Sequence, residues 1–190
     1  QQESKLFIDI NTKQRPVPNE LLLDIKKLAD TESNEEAALR ELFDAFNSDP
    51  TSPLIGMLSP AAKTAGKLSR VTFNSAVKPV LSSFSSSSAS LVYPAVRSYL
   101  SAFYKGLIAA GARESIVSPT VFRAIFEVFP EVAQRVIDRH GSSFKEEAFD
   151  EVLAGLFERT KLAKFTNPPR SHKELGTDLS RALKSGFLIG

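Results

Sequence analysis

The chain of 190 residues holds 24 Lys+Arg against 22 Asp+Glu, no cysteine and only two histidines, His140 and His172. That composition excludes disulfides, thiolate metal sites, cysteine nucleophiles and a histidine-rich metal centre. No apolar run reaches the length of a membrane span and no secretory leader pattern opens the chain, so the expectation is a cytoplasmic protein with no membrane partner. The charge is segregated: residues 1–50 carry 6 cations and 11 acids, residues 51–113 carry 7 cations and no acid, and residues 114–190 carry 11 of each. The central cations are Lys63, Lys67, Arg70, Lys78, Arg97, Lys105 and Arg113. An acid-free stretch of that length points to an anionic partner.

Helical periodicity dominates the chain from its start. The opening Gln1 to Phe7, without an initiator Met, reads as the middle of a helix and therefore as part of a longer polypeptide. Only Leu6 to Ile10 competes as a strand. Asn19 caps a helix with Leu21, Leu22, Ile25 and Leu28 on its apolar face. Ser33 and Glu36 form a capping-box pair ahead of a helix that carries Leu39, Leu42, Phe43 and Phe46. Thr72 is the expected cap of a short helix bearing Phe73, Ala76, Val77 and Val80, which Pro79 ends or kinks. The run Ser82 to Ser90 is low in complexity and reads as a linker or mobile loop.

Residues 91–110 form an amphipathic helix. Val92, Val96, Tyr99, Leu100, Phe103, Tyr104 and Leu107 lie on one side, Arg97, Ser101 and Lys105 on the other, and Gly111 is the stop signal. Ser118-Pro119 is a strong helix start, and Pro130 divides the helix that follows. Ser143 and Glu146 pattern as a second capping box. Ser171, with Glu174 three residues on, opens the last helix. The predicted fold is all-α: a multi-helix bundle with residues 1–81 as one helical part, 82–90 as a serine-rich linker and 91–190 as a second bundle.

Standard catalytic signatures are missing. There is no phosphate-binding glycine loop, no dinucleotide fingerprint and no zinc-protease or nucleophile-elbow motif. The carboxylates sit at capping and solvated positions, and each histidine reads as a structural residue near a helix end. Two segments stand out. Between Phe7 and Pro18, six polar side chains (Asp9, Asn11, Thr12, Lys13, Gln14 and Arg15) crowd between an apolar stretch and a capped helix. Asn and Thr suit phosphate or sugar oxygens, while Lys and Arg supply the charge; the alternative is a connecting loop whose side chains satisfy its own backbone. Arg70, Asn74 and Lys78 fall at i, i+4 and i+8 and share one helical face, fit either for a phosphate backbone or simply for solvent.

These two segments, Phe7-Ile8-Asp9-Ile10-Asn11-Thr12-Lys13-Gln14 with Val17-Pro18, and Arg70-Val71-Thr72-Phe73-Asn74 with Lys78-Pro79, resemble prokaryotic DGQHR-motif proteins. Those are DndB-like proteins, distantly similar to the ParB/sulfiredoxin superfamily. The resemblance spans residues 3–81 and is most specific at 7–18. The Asp-Gly-Gln-His-Arg motif itself is absent from the 190 residues, which implies an upstream part that carries it. The resemblance implies a role in DNA modification or defence. In that role Asn11, Lys13, Gln14 and Arg15 contact the phosphate of a nucleotide in company with the upstream part. DNA would be held by Arg70, Asn74, Lys78, Arg97 and Lys105. The alternative is a helical docking or dimerisation module, a homo-oligomer or protein partner with no nucleic-acid binding of its own. An enzyme acting alone ranks last, with no metal and no cofactor assigned.

Overall fold

The computed structural model describes residues 19–28 and 32–184. The 7–18 segment with Asn11, Lys13, Gln14 and Arg15, the competing strand at 6–10, and the Ile25 and Leu28 side chains lie outside the described residues.

Among the described residues the architecture is all-α, as the periodicity predicts, with nine helices and one pair of two-residue strands. The helices are α1 (Asn19–Leu28), α2 (Asn34–Ser48), α3 (Arg70–Leu81), α4 (Ala89–Ala110), α5 (Pro119–Glu127), α6 (Phe129–His140), α7 (Glu146–Arg159), α8 (Ala163–Thr166) and α9 (His172–Lys184), with a 3-10 turn at Arg113–Val117. The strands β1 (Leu58–Ser59) and β2 (Leu68–Ser69) pair in parallel, Leu58 with Leu68 and Ser59 with Ser69.

The helix ends follow local chemistry. Ser33 caps α2 in a complete capping box: its hydroxyl accepts from the Glu36 amide at 3.1 Å and the Glu36 carboxylate accepts from the Ser33 amide at 3.1 Å. Ser118 caps α5 with Pro119 in its first turn. Gly111 ends α4 in the left-handed region, φ 82°, which a side chain would resist. Pro130 stands at the start of α6, where its missing N–H costs nothing, so the break falls at Val128. Two expectations are corrected. Ser69, not Thr72, caps α3: its hydroxyl accepts from the Thr72 amide at 3.1 Å, placing Thr72 inside the first turn. Lys145 occupies the cap position of α7 with no side-chain capping bond, so Ser143 and Glu146 do not form a box there.

One hydrophobic core runs from Ala38 to Leu183. Its centre is aromatic, and edge-to-face geometry fits the ring quadrupoles. Tyr99 is fully buried, with the rings of Phe129 at 5.0 Å, Phe149 at 5.4 Å, Phe103 at 6.0 Å and Phe126 at 6.1 Å. Its hydroxyl donates to the Ile125 carbonyl at 2.5 Å, which satisfies the one polar atom taken inside. Phe73 of α3 bridges Phe43 of α2 at 5.3 Å and Phe122 of α5 at 6.2 Å. In the serine-rich stretch, Phe84 stacks on Phe129 at 6.2 Å. The Ser82 hydroxyl donates to the Pro79 carbonyl at 2.8 Å. The boundary read at 82–90 therefore divides the sequence but not the hydrophobic core.

Candidate functional site around the third helix

The site begins with a pinned loop. Leu58 and Leu68 are buried and bring β1 and β2 together, so residues 60–67 leave and re-enter the core at one point. Inside the loop the Ser59 hydroxyl donates to the Ala62 carbonyl and shares a 2.9 Å hydrogen bond with the Thr64 hydroxyl. Gly66 turns the chain at φ 75°, where only a residue without Cβ is at ease. Lys63 and Lys67 project from this loop, exposed, and their side chains have no hydrogen bond or ion pair among the described residues.

The loop delivers the chain to the Ser69 cap and α3, whose first turn holds no acid. Helix N-termini favour negative charge; the helix's own first turn supplies none, and the nearby acid is Glu20 of α1, across the cavity that Val71 also lines. Arg70, the first residue of α3, lays its guanidinium over the Phe43 ring, 5.0 Å from the centroid. Its Nε is buried and has no hydrogen-bond partner; the Asn74 Oδ1, one turn on, is in the same condition. Glu20 of α1 is only 9% exposed, and its Oε1 also lacks a partner. With Lys63, Ala61, Ala62 and Val71 it lines a cavity of about 360 Å³. Buried polar atoms are almost always paired in folded proteins, so three orphans on or beside one short helix call for a physical reason.

The other residues singled out for DNA stand elsewhere and are engaged. Lys78 lies 3.6 Å from Glu35 of α2. Arg97 lies 3.6 Å from Asp49 and donates to the Thr51 hydroxyl at 2.7 Å. Lys105 meets Asp150 at 2.7 Å and Glu146 at 2.8 Å, and these two carboxylates, Asp150 foremost, push its pKa above the ordinary lysine range. Arg113 donates to the Tyr104 hydroxyl at 3.1 Å. Acids from the flanking thirds of the chain thus meet three of the seven cations of the acid-free third, Lys78, Arg97 and Lys105. Arg70, over Phe43, and Lys78, beside Glu35, both meet α2, so the face that the i, i+4, i+8 spacing predicts is turned toward that helix. Glu20 was not singled out from the sequence, and Lys63 and Lys67 were read only as two of the seven central cations; their place in a Thr/Gly-bearing loop just before a capped helix was the available further signal.

The histidines are both paired with carboxylates, His140 with Glu151 at 3.0 Å and His172 with Glu127 at 3.3 Å. No group of three His, Asp or Glu side chains among the described residues is placed to hold a metal ion, and no helix among them is long and apolar enough to cross a membrane. Compared with protein-family models, with curated proteins and with solved structures, the chain matches none.

Proposed function

We propose that this chain is the helical region of a DGQHR-like protein of prokaryotic DNA modification or defence. In this reading it holds a phosphate group, of a nucleotide or of a DNA backbone, at the start of α3. The supporting observation is that Arg70, from the second segment that carries the resemblance, buries a donor, its Nε, with no partner. Arg70 supplies guanidinium donors, the Asn74 amide the N–H that accompanies its orphaned oxygen, and Lys63 and Lys67 the long-range charge. The ion pairs of Lys78, Arg97 and Lys105 are the reason to leave those three out of the contact.

The test is fluorescence anisotropy of a labelled DNA duplex against the chain at about 50 and about 200 mM salt. Replacing Lys63 and Lys67 by alanine should weaken binding and make the logarithmic salt slope shallower by about two, because each phosphate contact contributes roughly 0.9 to it. Lys105→Ala should leave the slope unchanged. An unaltered slope in the double variant would remove the loop from the reading.

A second reading, a docking or dimerisation module without nucleic-acid binding, is favoured by the engagement of Lys78, Arg97, Lys105 and Arg113 within the fold. Absence of DNA binding at either salt, with a mass that rises with concentration in sedimentation, would select it.

A further inference from the structure

On another side of α3 lies a smaller cavity that the phosphate reading does not use. It has a volume of about 220 Å³ and is walled by α3, α5 and α9. Ala76, Val80 and Phe126 give it an apolar floor, and Arg123 and His172 give it a polar rim. The Arg123 side chain has no hydrogen bond or ion pair among the described residues, and its Nε is buried. A guanidinium carries five donors and always its charge, so leaving it half-buried and unpaired is costly unless something else meets it.

The natural partner within the fold is turned away. Glu127 lies one helical turn after Arg123 on α5, but its Oε1 takes the His172 Nε2 at 3.3 Å. Gly176 enforces that arrangement. It lies one turn after His172 on α9, and a Cβ there would stand 2.8 Å from the Glu127 Cβ, so only glycine lets the two helices approach this closely. Glu127 lines the cavity too, on the His172 side, so the cavity offers the Arg123 guanidinium, without a side-chain partner among the described residues, beside an apolar floor. It is smaller than the roughly 300–1,000 Å³ of sites for drug-sized ligands.

We infer that the cavity between α3, α5 and α9 binds a small carboxylate with a short apolar tail, its carboxylate on Arg123 and its tail over Ala76, Val80 and Phe126. The charge selects an anion, and the apolar floor selects a body that inorganic anions lack. Glu127, held on His172, keeps its own charge off the guanidinium and acts as a positioning residue.

The experiment is an NMR titration of the isotope-labelled full chain with butyrate, with butyramide as its neutral isostere and with inorganic phosphate. Butyrate should give saturable shifts centred on Ala76, Val80 and Phe126, with butyramide and phosphate each at least tenfold weaker. Arg123→Gln should lower butyrate affinity at least tenfold and Arg123→Lys should lower it less, while the Lys63/Lys67 double variant should bind butyrate as the parent does. Equal affinity for butyramide overturns the assignment of the charge, and equal affinity for phosphate overturns that of the floor. Both comparisons use the unaltered chain and stand even if the arginine variants fold poorly. Undiminished butyrate binding in folded Arg123→Gln overturns the proposal.

Discussion

The Tyr93 hydroxyl donates to Asp49 Oδ2 at 2.6 Å, joining residues 44 positions apart and fastening the end of α2 to the first turns of α4. Asp49 also accepts from the Thr51 amide at 2.9 Å and the Thr51 hydroxyl at 2.8 Å, with Arg97 beside it. Four groups that favour the ionised form hold its carboxyl down to about 2, the Tyr93 bond foremost, from an ordinary 3.8. The same carboxylate and the partial burial of the phenol, burial first, raise the Tyr93 pKa.

A depressed carboxylate contributes stability that is fully present above its unfolded value and lost as pH falls through its folded one. Asp49 therefore stabilises the fold above about pH 4 and ceases to do so near pH 2. Asp49→Asn should be less stable than the parent at neutral pH, and its stability should fall less between pH 4 and pH 2. Urea unfolding across that range measures both effects.

Gly106→Ala should destabilise the fold. A Cβ at 106 would lie 2.1 Å from Phe157 Cε2, so the ring must move. Moving it disturbs contacts with Phe103 at 5.0 Å and Phe165 at 5.6 Å. Overpacking of this kind costs about 1–3 kcal/mol, readable from the urea midpoint. Because Phe157 is only partly buried, an outward swing of the ring places the expected cost toward the lower end.

Tyr99→Phe isolates one hydrogen bond. The ring keeps its four aromatic neighbours, while the Ile125 carbonyl loses its donor in the dry centre. A buried acceptor left without a partner costs about 1–3 kcal/mol. Equilibrium unfolding should show that loss with an unchanged denaturant slope.

Asn74→Ala should behave in the opposite sense. Its Oδ1 is buried and unpaired, so removing it relieves a desolvation penalty, and alanine is the better helix former by roughly 0.5 kcal/mol. The variant should melt no lower than the parent. A clear loss of stability would show that Asn74 serves the fold itself.

Most of the helical frame was legible because its signals are local. A capping box needs only Ser33 and Glu36, and Ser118-Pro119 and Gly111 act on their own turns. Ser69 was missed as the cap of α3 because Thr72, three residues on, has the same chemistry. What separates them is that Leu68 must be buried opposite Leu58, which starts the helix earlier. The pairing of Arg97 with Asp49 and of Lys105 with Asp150 was hidden for a different reason. Each joins positions about 45 or more apart, and a linear count of charges cannot show that an acid-free stretch is folded between two acid-bearing ones. The serine run illustrates the same limit: composition marks it as a linker, but one aromatic residue, Phe84, ties it down.

The pairing of Leu58 with Leu68 closes a circuit, by hydrogen bonds and packing, around residues 60–67 whose two feet are both held in the core. Cleavage after Lys63 or Lys67 would open that circuit without freeing either foot. Trypsin at low dose would then yield two fragments that co-elute under native conditions and separate only in denaturant. New chain ends for a circular permutant, or an inserted reporter peptide, belong at the same place.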